Sequence, residues 1–117
     1  MTLQAPVNLD IECAEAGRKL GKAMKDEKIL KDALAVLEEQ GPYAMFLYVR
    51  AKHKEVASQF EEPLVKLLSE ALKLKGNDGL DIAKSAAKDL DTLLFARDLL
   101  RNALTYARFH LKAMGGR

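Results

Sequence analysis

Apolar residues return every three or four positions from Leu9 to Met114, and the rhythm breaks only at Gly41-Pro42, Pro63 and Gly76-Asn77-Asp78-Gly79. That period matches one face of an α-helix, whereas a half-buried strand would alternate at every second residue. The chain is therefore predicted to be all-α. Its 117 residues can build one core but not a core plus a separate lobe, and 49% apolar against 31% charged residues is a globular balance. Residues 1–117 are expected to form a single compact bundle of about five helices.

Helix one is predicted from Leu9 to about Lys25, with Cys13, Ala16, Gly17, Leu20 and Met24 on its inner face. The second runs from Glu27 to Gln40. Gly41 stops it, and Pro42 suits the first position of the next. Pro42 to Val49 is apolar almost all round, which places helix three at the centre of the expected core with Tyr43, Phe46 and Tyr48 inside. Pro63, preceded by Glu61 and Glu62, is expected to open a fourth helix that buries Leu64, Leu67, Leu68, Ala71, Leu72 and Leu74. After the 76–79 turn, periodicity continues from Leu80 to Met114. A straight helix of that length would measure about 50 Å, nearly twice the breadth of so small a domain, so a break is predicted with Asp89 and Asp91 as caps. Gly115-Gly116 then ends the last helix and leaves Arg117 as a short tail.

Catalytic chemistry finds little to use. His53 and His110 are the two histidines; Arg50 and Ala107 stand three residues before them, so neither forms the Glu-x-x-His pair of a di-iron bundle. Small helical ribonucleases of the HEPN class place an arginine four to six residues before a histidine, and here the intervals are three (Arg50 to His53) and two (Arg108 to His110). There is no phosphate loop and no Gly-x-Ser-x-Gly. No enzyme activity, cofactor or metal site is expected, and His110 is read as a packed, hydrogen-bonded core histidine. The single cysteine, Cys13, cannot form an internal disulfide and reads as a small packing residue in a reducing, cytoplasmic compartment. The amino-terminal residues lack the pattern of a signal peptide, and the longest apolar run, Ala44 to Val49, is about a third of a membrane span, so no membrane partner is expected.

Nineteen basic and 17 acidic residues leave a net charge of +2, so any role in binding polyanions must come from placement. On a helical wheel with Arg97 at 0°, Arg108, Arg101 and Lys112 fall at about 20°, 40° and 60°, a stripe about 22 Å long with no acid inside it. The opposite side, holding residues from Phe95 to Met114 that include Leu99, Leu100, Leu104 and Leu111, would anchor the helix and leave the stripe facing solvent with Tyr106 at its rim. Arg18, Lys22 and Lys25 repeat the theme on helix one, and Arg50, Lys52 and Lys54 form a third cluster behind helix three. Acids sit apart, at Glu38-Glu39, Glu61-Glu62, Asp78, Asp81, Asp89 and Asp91. Such segregation suits docking to a polyanion, to an acidic protein partner, or head to tail between copies.

Two stretches resemble a known family. Leu34-Ala35-Val36-Leu37-Glu38-Glu39-Gln40-Gly41-Pro42-Tyr43-Ala44-Met45-Phe46-Leu47-Tyr48-Val49-Arg50-Ala51-Lys52 resembles the middle of the small helical subunits of type III CRISPR effector complexes, of the Cmr and Csm types. Leu93 to Met114, with Ala103-Leu104-Thr105-Tyr106-Ala107-Arg108-Phe109-His110-Leu111-Lys112-Ala113, is similar to that family's basic carboxyl-terminal helix. The resemblance implies a non-catalytic subunit whose copies stack head to tail within a ribonucleoprotein, beside other effector subunits and along the guide RNA and target RNA. By position, it implies backbone contacts for Arg18, Lys22, Arg50, Lys52, Lys54, Arg97, Arg101, Arg108 and Lys112. The alternative is a helical protein-protein adaptor or oligomerisation domain without nucleic-acid binding, with an enzyme or a toxin-antitoxin component behind it.

Overall fold

The computed structural model describes residues 4–115, with side chains from Leu9 onward. The expectations about a leader, and about Gly116 and the Arg117 tail, fall on residues outside these. The described chain is an all-α bundle of six helices: α1 (Gln4–Ala23), α2 (Glu27–Gln40), α3 (Pro42–Lys52), α4 (Ala57–Leu72), α5 (Gly79–Ala86) and α6 (Leu90–Ala113), with a 3-10 turn at Lys54–Val56. It measures 41 × 28 × 23 Å.

Local chemistry explains most of the boundaries. Asp26 caps α2 by accepting from the Lys28 N–H at 2.9 Å, and Gly41, at φ 96°, ends α2 and leads directly into Pro42. Asp78 caps α5 through the Asp81 N–H, and Asp89 caps α6 through the Thr92 N–H, each at 2.9 Å. The expected break in the last segment therefore falls at residues 87–89, where Asp89 offers the backbone a better partner than a continued helix.

α1 and α6 form the spine. Cys13 Sγ lies 3.7 Å from the Leu99 carbonyl, 86 residues on, and Gly17 and Gly21 face Ala103 and Ala107 at that same offset, so the two helices run parallel. They approach closely because neither presents bulk: a Cβ on Gly17 would lie 2.8 Å from the Ala103 carbonyl oxygen, and one on Gly21 2.9 Å from that of Ala107. Around the spine a single cluster of buried side chains includes Leu20, Leu30, Leu37, Phe46, Phe60, Leu64, Ile82, Leu100 and Leu104. Phe46 and Phe60 meet edge to face with centroids 6.2 Å apart.

Three expectations are corrected. Pro63 does not open a helix but lies within α4, which begins six residues earlier. Buried Phe60 and Glu61 hold those first turns in place, Phe60 against Phe46 and Glu61 against Arg50, which offsets the hydrogen bond that proline cannot donate. α3 is not buried all round. Pro42, Met45, Phe46 and Val49 are inside, while Tyr43 and Leu47 are 43% and 49% exposed and Tyr48 is half-buried, because the bundle covers only one side of this helix. Phe95 and Met114, placed on the anchoring face of the last helix, are exposed at its two ends.

Candidate nucleic-acid interface

The α6 stripe forms as a line but does not face open solvent. α2 runs antiparallel beside it and supplies the acids that the wheel of one helix cannot contain. Arg101 pairs with Glu38 through Nε and Nη2 and with Asp98 at 2.8 Å. Arg108 donates from Nε and Nη2 to Glu27 Oε2 at 2.9 and 2.8 Å, and Lys112 Nζ lies 3.7 Å from Glu27 Oε1. Arg97 is half-buried, its Nε shielded without a hydrogen-bond partner among the described residues. The expected free stripe is thus largely a rail of ion pairs joining α2 to α6. Hydrogen bonds from Arg108 and Arg101 hold the carboxyls of Glu27 and Glu38 below the usual 4.5.

The other predicted cations divide into two groups. Arg50 is committed to the fold: its Nε donates to Glu61 Oε2 at 2.7 Å, its Nη2 reaches Glu61 Oε1 and Asp78 Oδ2, both at 3.1 Å, and Glu61 also accepts the Gly79 N–H at 3.0 Å. These bonds to two carboxylates push the Arg50 pKa further up. Arg18 pairs with Glu15 one turn back at 2.8 Å. Lys22, Lys52 and Lys54 are exposed and have no ion-pair partner among the described residues.

Helix direction gathers much of this charge. α2 and α3 fold back on one another, so that the Tyr48 hydroxyl donates to Asp32 at 3.3 Å and the Tyr48 ring meets His53 edge-on at 5.9 Å. The carboxyl ends of α1, α3 and α6 thereby come to the pole where α2 begins. Lys22, Lys52 and Lys112 arrive there from three helices. Part of their charge offsets the negative ends of those helix dipoles.

Two further residues differ from expectation. The Tyr106 hydroxyl is not free at the rim but donates to Asp10 at 3.0 Å, and that carboxylate raises the Tyr106 pKa. His110 is half-buried beside Gly21 and makes no side-chain hydrogen bond among the described residues. Reasoning from one wheel missed Glu27 and Glu38 as partners of the stripe, because pairing across 63 or 81 residues leaves no local signal. It also missed Phe109, which is 63% exposed on the true solvent face of α6 with Asn102.

Among the described residues no group of three or more His, Cys, Asp or Glu could hold a metal ion, and no helix is long and apolar enough to cross a membrane. No family model, curated protein or solved structure matches the chain.

Proposed function

We propose that this chain is a non-catalytic small subunit of a type III CRISPR ribonucleoprotein effector, its copies stacking head to tail and holding the RNA backbone by charge without reading bases. The observation that carries this function is the basic pole: Lys22 and Lys52 end α1 and α3 at one end of the bundle, with Lys54 following α3, and stand without ion-pair partners among the described residues, while Lys112 of α6 arrives there paired with Glu27. Lysines there act as mobile point charges suited to successive phosphates whatever the sequence. Stacking would cover side chains that the lone bundle leaves wet, among them Leu47, Leu90, Leu94 and Phe109. Guide RNA, target RNA and the other effector subunits are the partners this function requires.

The test is fluorescence anisotropy of labelled single-stranded RNA with the full chain, at several salt concentrations. Sequence-independent binding that weakens with salt supports the proposal, and the triple variant Lys22→Glu/Lys52→Glu/Lys54→Glu should lose much of it while still melting cooperatively, with a midpoint lowered only by the unfavourable charges at the ends of α1 and α3. Charge reversal at Arg101 and Arg108 would not be a clean probe of RNA contact, since it would set carboxylates against Glu38 and Glu27. A second function, a protein-only adaptor, is favoured by the neutralised stripe together with exposed Phe109. Absence of RNA binding at low salt, with capture of a partner subunit retained, would select it.

A further inference from the structure

Outside the basic pole, the corner between α4 and α5 carries a hollow of about 420 Å³ lined by Lys75, Lys84 and Lys88 with Asn77 and Ser85. One carboxylate, Asp81, shares it and is engaged by the Asn77 N–H at 3.4 Å. Three exposed ammonium groups therefore meet one acid, and none of the three has an ion-pair partner among the described residues. This differs from the α6 rail, where acids of α2 already occupy the arginines.

The hollow is also shaped by fixed backbone. Ser85 Oγ donates to the Lys75 carbonyl at 2.8 Å and ties the loop to α5. Gly76 lies so close to α5 that a Cβ there would be 2.7 Å from the Ile82 nitrogen. Lys84 lies on α5 and Lys88 in the 87–89 break that follows it, and both line the hollow together with Lys75 from the loop before the helix. No large apolar side chain lines the hollow. A protein partner would want an apolar anchor at such a place, whereas ammonium groups beside an amide and a hydroxyl offer donors for oxyanions.

We infer that the Lys75, Lys84 and Lys88 hollow is a second seat for the phosphodiester backbone of single-stranded RNA, separate from the basic pole. This rests on the RNA-binding function proposed above, and the test keeps the two apart. Anisotropy with labelled single-stranded RNA is compared for the parent chain, Lys84→Glu/Lys88→Glu and the triple pole variant, each with a melting curve to show that it folds. Loss of about tenfold or more in affinity at low salt for Lys84→Glu/Lys88→Glu, with the salt slope lowered by roughly one to one and a half units, is the expected result. If that variant binds as the parent does while the pole variant is weakened, the hollow is not an RNA seat and the proposed function stands. If the parent binds no RNA, both fall. In that last case a titration of the full chain with inorganic phosphate, followed by the amide resonances of Asn77 and Ser85, shows whether the hollow takes a free phosphate instead: shifts lost in Lys84→Glu/Lys88→Glu would reassign it so.

Discussion

Gly17 and Gly21 do at residue scale what no larger side chain could, since their missing Cβ atoms let α1 lie on the α6 backbone. Gly17→Ala is expected to destabilise the fold by about 1–3 kcal/mol despite alanine's better helix propensity, because the new methyl meets the Ala103 carbonyl and the Ala107 nitrogen rather than a flexible tip. A thermal melt checks this; an unchanged midpoint would mean that the helices sit further apart. Phe46 and Leu100 are fully buried, and truncation of either to alanine should cost about 2–5 kcal/mol. Cys13, also buried and near Asp10 and Glu12, has its thiol pKa pushed up to about 11, first by loss of solvent and then by those carboxylates. Alkylation of the native chain near neutral pH should accordingly be slow and should accelerate on unfolding, as followed by mass spectrometry.

At the scale of elements, α2 is fastened to α6 by two acids, and their ionisation makes the join pH-dependent. Glu27 and Glu38 titrate below 4.5 in the folded chain, so their contribution is complete above that value and is lost as pH falls through the lower folded values. Glu27→Gln/Glu38→Gln should therefore flatten the acid limb of the stability curve below about pH 4.5 relative to the parent. Melting midpoints across that range provide the measurement, and identical limbs would show that the rail is not populated in solution. The Arg50–Glu61–Asp78 cluster has a different weight, because Glu61 is buried and holds both Arg50 and the start of α5. Glu61→Ala should cost about 2–3 kcal/mol by leaving the Gly79 N–H and part of the guanidinium without a partner.

For the whole molecule, the consequence of the proposed function is that occupancy follows RNA length. Sedimentation of the full chain with single-stranded RNAs of increasing length should give complexes whose copy number rises in proportion, because each copy covers a fixed run of phosphates and stacks on the next. One copy per RNA at every length would rule out a filament. The wet apolar side chains predict where copies touch: Phe109→Ser or Leu94→Ser should reduce that proportional loading while leaving the fold intact, since both residues lie outside the core.

Periodicity alone determined that the chain is helical, much of the inner face of α1, α2 and α6, and that Gly41-Pro42, Asp78 and Asp89 mark boundaries, because caps, stops and amphipathic faces are set by residues within a turn or two of one another; it did not determine which side of α3 is covered, nor that Phe60 is buried. Proline read locally misplaced the start of α4, since Phe60 and Glu61 hold the earlier turns through partners on α3. The cationic stripe was legible as a line on α6, but its surroundings were not. Whether four cations in a row face a polyanion or the protein's own carboxylates depends on which helix lies alongside, and Glu27 and Glu38 reach Arg108 and Arg101 only after the chain has folded back across most of its length. The same holds for Lys75, Lys84 and Lys88: the loop before α5, α5 itself and the 87–89 break each carry part of the hollow, and the packing of Gly76 on Ile82 with the Ser85–Lys75 hydrogen bond sets the loop against the helix.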